Sequence, residues 1–215
     1  VVRHLVRWTP GASKPVEAAV VLLPEASTRA DFDRWLPTAR GKFVLLSWPE
    51  PMCRARQELE RFALPNTVKW VDSVRSAGRR AWAPRLAAFE GRQGRVPAAL
   101  DSAGAAGVLT SNWAGGWGAT RVFTGPTNRS VALDVSCEDY GLLARLAANG
   151  QGPRVRVSVE SRELGEVPEF NVVAELRGTE RPDEYVILGA HLDSWHGATG
   201  ATDNGTGTIM MMEAG

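Results

Sequence analysis

Along the first three-quarters of the chain, short apolar runs bounded by glycine, proline and polar clusters alternate with stretches whose apolar residues recur every three or four positions. The first rhythm predicts strands and the second helices. Residues 17–23 read as a strand closed by Pro24, and residues 41–48 as a compact apolar strand between punctuators. Between them, residues 31–36 predict a short helix stopped by Pro37. From Pro51 to about Ala77 the pattern is helical, with Met52, Ala55, Leu59 and Phe62 on one face and Arg54, Glu58 and Arg61 on the other; Pro65 divides it into two helices. An alanine-rich helix at 97–106 feeds a strand at 107–111, and 130–135 is the next strand. Ser136 followed by Glu138 and Asp139 has the chemistry of a helix start, and Gly150 suits that helix's end. Val155, Val157 and Val159 alternate with Arg154, Arg156 and Ser158, the mark of a half-exposed strand. Two further strands, 169–176 and 185–190, are expected on either side of a polar turn. Strands interleaved with helices make this an α/β chain.

Composition narrows the function. Among 215 residues, 25 Lys+Arg stand against 24 Asp+Glu, so no global field recruits nucleic acid or an anionic membrane surface. The longest apolar run, 18–23, is strand-sized and far short of the ~18 residues of a membrane span. The chain begins at Val1 without a signal-peptide pattern, and both ends read as cut, so a partial stretch of a longer protein is expected. Cys53 and Cys137 show no CxxC spacing and are read as two buried or half-buried thiols rather than a disulfide.

The candidate chemistry lies in the last thirty residues. The apolar run 186–190 ends in His191, with Asp193 two positions on; a strand would point both the same way, letting the carboxylate hold the ring's other nitrogen. Asp203 follows 203 − 191 = 12 residues after His191, in a Gly-rich loop that can fold back over it. Imidazole with carboxylate suits Zn2+.

These residues carry a resemblance. Gly189-Ala190-His191-Leu192-Asp193-Ser194 and Gly200-Ala201-Thr202-Asp203-Asn204-Gly205-Thr206-Gly207 resemble the hallmark segments of the M28 family of zinc aminopeptidases and carboxypeptidases. The order of elements over about 38–160 resembles the protease-associated (PA) domain that many M28 enzymes carry, the nearest look being to the carboxypeptidase Q-like branch. The resemblance implies a lead-in segment at 1–37, a PA domain at 38–165 and the first strands of a zinc-exopeptidase α/β sheet at 166–215. It implies two zinc ions, with His191 as ligand to one, Asp203 as the bridge between them and Asp193 orienting His191, and it implies a cis peptide bond at Asp203-Asn204. The family's general base, a Glu, and its remaining ligands are not located in these residues, so the 215 residues by themselves are expected to be inactive. The parent is then expected to hydrolyse terminal peptide bonds of a peptide substrate, with a homodimer among its assemblies and a secreted or periplasmic location. The rival reading is a non-catalytic binding or receptor-like protein on the same scaffold.

Other residues weigh less. His196 reads as a loop or substrate-rim residue, His4 as a surface or packing residue, and Met210-Met211-Met212 as core packing. Trp113 and Trp117, on a Gly-rich loop, pack on their own domain or line an entrance. Arg79, Arg80, Arg85, Arg92 and Arg95 read as a solvated face.

Overall fold

The computed structural model describes residues 4–5, 9–87, 95–116, 120–121, 125–162, 165–166, 168–195 and 198–214. The chain divides into two units, Val1–Glu163 and Leu164–Gly215.

The first unit is built on six strands: β1 (His4–Leu5), β2 (Val16–Leu22), β3 (Phe43–Leu45), β4 (Gly107–Thr110), β5 (Val131–Asp134) and β6 (Arg154–Val157). Their order across the sheet is β1-β5-β4-β3-β2-β6. The inner four are mutually parallel, and β1 and β6 close the edges antiparallel. Parallel strands covered on both faces must be apolar throughout. Every residue of β3 is buried, as are Val108, Leu109, Val131, Ala132 and Leu133. Edge strand β6 instead turns Arg154 and Arg156 outward while Val157 is buried.

Six helices belong to this unit: α1 (Arg29–Trp35), α2 (Arg56–Phe62), α3 (Pro65–Trp82), α4 (Pro84–Ala87), α5 (Arg95–Ala103) and α6 (Cys137–Ala148). Alternation along β3 assigns the two cores. Val44 joins Leu23, Phe32, Trp82, Val96 and Leu100 on one side, whereas Phe43 and Leu45 join Leu133, Tyr140, Ala144 and Val157 on the other. Gly107 is held to glycine by packing: a Cβ there would lie 2.3 Å from the Val131 carbonyl oxygen and 2.7 Å from the Phe43 ring. Thr28 caps α1 by accepting from the Asp31 amide at 3.2 Å, and Ser136 caps α6 by accepting from the Asp139 amide at 3.2 Å. Pro65 occupies the first turn of α3, where its missing N–H costs nothing.

Several expectations are corrected. Residues 1–37 are no separate lead-in, because β2 lies inside the sheet between β3 and β6 and Phe32 of α1 is fully buried in its core. Cys53 and Cys137 form a disulfide across 84 residues. Spacing gave no hint of it, because only the fold brings the loop after β3 to the start of α6. Tyr140 confirms that meeting, its hydroxyl donating to the Ser47 carbonyl at 2.7 Å. Phe62, the last residue of α2, is 69% exposed rather than inward and lies under the Arg61 guanidinium at 5.0 Å, whereas Leu59 of the same helix is buried. Arg85 is no solvated cation: it donates to the Leu23 carbonyl and pairs with Glu25, stacking over Trp82. Arg92, Trp117 and His196 lie outside the described residues.

In the second unit, the strands expected at 169–176 and 185–190 do not form. Their apolar residues Val172, Val173, Val186 and Ile187 stand exposed. A strand is stabilised by ladder partners and a covered face, and a lone pair of strands is marginal in water. The described residues close with α7 (Gly207–Ala214), whose Ile209, Met210 and Met212 are exposed rather than packed as core.

Candidate metal centre

The second unit nevertheless assembles the three candidate residues. His191 Nδ1 lies 2.9 Å from Asp193 Oδ1 and 3.0 Å from the Asp193 carbonyl oxygen, and His191 Nε2 lies 3.0 Å from Asp203 Oδ1. Asp193 thus takes one ring nitrogen and leaves the other facing Asp203.

The loop that returns Asp203 to His191 is fastened by its own hydrogen bonds. The Gly205 amide donates to the Gly200 carbonyl at 2.8 Å, and the Thr206 hydroxyl to the Thr202 carbonyl at 2.7 Å. Gly200 adopts φ 70°, a conformation glycine reaches without steric cost, and the peptide bond Asp203-Asn204 is cis. Gly207 leaves room for the Asn204 side chain, since a Cβ there would lie 2.1 Å from Asn204 Oδ1.

The imidazole is held above its ordinary pKa. The Asp193 carbonyl contributes most, desolvation opposes it, and the carboxylates of Asp193 and Asp203 add to the rise. A neutral ring whose Nδ1 proton is held by one carboxylate and whose Nε2 faces another is suited to take a positive charge at Nε2, either a proton or a metal ion. The separation of 3.0 Å between Nε2 and Asp203 Oδ1 suits two ligands that each approach one zinc to about 2.0–2.2 Å. The donor set therefore fits zinc. Among the described residues no group of three or more His, Cys, Asp and Glu is arranged to hold a metal ion together. Glu213 lies on α7 and is exposed.

The family described as Peptidase family M28 matches residues 171–215. Bovine carboxypeptidase Q (Bos taurus) is 32% identical over 80 residues, which are 37% of this chain and 17% of the relative. The mouse aminopeptidase NAALADL1 (Mus musculus) is 39% identical over 82 residues, 37% of this chain and 10% of that protein. The matched stretch thus spans about a sixth of the length of the carboxypeptidase Q relatives. A crystal structure of a peptidase M28 precursor from Shewanella amazonensis SB2B superposes with a TM-score of 0.60 at 20% identity, covering 98% of this chain and 42% of that one. The two share a fold.

Proposed function

We propose that the protein is a zinc-dependent exopeptidase, with the first unit serving as its protease-associated domain and His191 and Asp203 as zinc ligands. The observation that carries this reading is the Nε2 to Oδ1 separation of 3.0 Å on a ring whose other nitrogen is fixed by Asp193. Asp193 keeps the Nδ1 proton in place, so that the Nε2 lone pair is the one offered to a cation. Asp203, through two carboxylate oxygens, is suited to serve two ions at once. Zinc, when bound, supplies Lewis acidity toward the scissile carbonyl and activates water. The substrate class is a peptide hydrolysed at its terminus, in keeping with the carboxypeptidase and aminopeptidase relatives. A disulfide in the first unit accords with a secreted or periplasmic location, because such bonds persist in oxidising compartments.

Metal content and hydrolysis of peptides blocked at one end or the other, measured on the native protein before and after chelation, test the reading. Asp203→Ala and His191→Ala are expected to abolish turnover and reduce bound zinc. Asp193→Asn is expected to cost about 10–100-fold, the usual range for a group acting through a ligand. Full activity of Asp203→Ala with unchanged zinc would overturn the assignment and favour the non-catalytic scaffold.

A further inference from the structure

Beyond the carboxyl ends of β3 and β4 the first unit holds an open cavity of about 720 Å3. This edge is where parallel α/β sheets place ligands, and the size is that of small-molecule sites, roughly 300–1,000 Å3. Its walls are aromatic, formed by Trp48, Trp82 and Trp113. Gly78 on α3 admits the first of these, since a Cβ there would lie 2.8 Å from the Trp48 indole nitrogen.

The charges around the cavity do not balance. Glu50, only 13% exposed, is shared by Arg75 at 3.2 Å and Arg79 at 3.0 Å. Arg79 also stacks over Trp48 at 5.0 Å, and Arg75 over Trp113 at 5.6 Å. Arg121 lines the same cavity with no acidic partner among the described residues. Arg79 and Arg121 therefore line the cavity with Glu50 as the one lining carboxylate, beside indole surfaces that favour a ring.

The walls are also fixed in advance. Asp134, 1% exposed at the end of β5, accepts from the Thr110 hydroxyl at 2.9 Å and from the Asn112 amide and side chain at 2.9 and 3.0 Å, holding the strand end that leads to Trp113. Opposite, the Ser111 amide donates to Ser47 Oγ at 2.9 Å, and Arg75 donates to the carbonyls of Met52 and Arg54 at 3.1 and 2.9 Å. Walls ordered before binding spare a ligand the cost of ordering them.

We propose that this cavity binds an aromatic group that carries a carboxylate, either the terminus of a peptide ending in an aromatic residue or a free aromatic acid. The ring lies against the indoles, and Arg79 and Arg121 take the carboxylate. The inference is independent of zinc and of peptidase activity, so it stands or falls apart from the function proposed above.

Isothermal titration of the intact, oxidised chain tests it, with N-acetyl-L-tryptophan, its amide, inorganic phosphate and a tetrapeptide ending in tryptophan as probes. The acid is expected to bind about tenfold or more tightly than the amide, the loss that follows removal of a charge-assisted hydrogen bond. Arg121→Ala, an exposed change that leaves the core untouched, is expected to weaken the acid by a similar factor and the amide hardly at all. Binding of the tetrapeptide as well as the acid identifies the peptide terminus as the ligand source, and binding of the acid alone identifies the free acid. Equal binding of acid and amide, equal binding of phosphate and acid, or an Arg121→Ala protein with unchanged affinity would each overturn the proposal.

Discussion

The two units of this chain treat the same kind of apolar sequence in opposite ways. In the first, Phe43-Val44-Leu45 pairs on both sides, with β2 and β4, and every side chain is fully buried. In the second, Val186-Ile187-Leu188 has equal strand propensity, forms no ladder and stays exposed. Propensity is thus shared while burial is not, and burial is what converts a strand-like run into a strand. Yet the second unit orders the His191, Asp193 and Asp203 cluster, because those contacts are made within 12 residues by local turns and loop hydrogen bonds. A side-chain cluster of short sequence span needs no core beneath it, whereas a sheet does.

Large-to-small changes sharpen this contrast most. Phe43→Ala should destabilise the first unit by about 3–5 kcal/mol, and Ile187→Ala should stay within about 0.5 kcal/mol. Denaturant unfolding monitored through the tryptophans reads both, and a comparable cost at Ile187 would break the comparison. Reducing the Cys53–Cys137 bridge comes next, with an expected loss of about 2–5 kcal/mol. That loss should appear in the first unit's transition, with no change at His191 by NMR.

Asp101 offers a smaller effect with a pH signature. Burial raises its pKa, but the Ser130 hydroxyl and the amides of Asn128, Ser130 and Arg129 together outweigh burial and hold the carboxyl below its ordinary value. A depressed folded-state pKa stabilises the fold above the unfolded value near 3.8, and that contribution is lost as the pH falls through the folded value. Asp101→Asn should therefore cost about 1 kcal/mol at neutral pH, water screening much of the charge on this partly exposed carboxyl, and flatten the acid limb of the stability profile. Thr28→Ala, which removes the α1 cap and the hydroxyl's hydrogen bond to the Asp31 carboxylate at 2.7 Å, should cost about 1 kcal/mol at neutral pH. A larger loss would mean that Thr28 supports more than its helix.

What could be read in advance follows the same division. The strands at β2, β3, β4 and β5, the proline break between α2 and α3, and the Ser136 cap all depend on neighbours in sequence, and pattern recovers them. The motif from Gly189 to Gly207 is equally local, which is why its three side chains could be named before any coordinates. Cys53 with Cys137, and Glu50 with Arg75 and Arg79, depend on which chain ends the sheet brings together; no spacing signals them. The missing strands at 169–176 and 185–190 mark the reverse case, where the pattern specifies a surface to be covered and the described residues supply no cover.

Near its two ends the first unit is stitched shut. Thr9 accepts on its hydroxyl from the Ala132 amide at 2.7 Å and on its carbonyl from the Ser161 hydroxyl at 2.8 Å, while the Ala12 amide donates to the Val159 carbonyl at 3.1 Å. The polypeptide just after β1, at residue 9, therefore lies beside its exit from this unit at residue 161. A body with adjacent entry and exit can be spliced into the loop of a host with little stretching of either, and can be rejoined end to end and reopened elsewhere. From β2 to β6 the unit has the geometry of a portable insert, and a circular permutant that joins residue 161 to residue 9 through a short linker should keep those five strands and the bridge, giving up only β1.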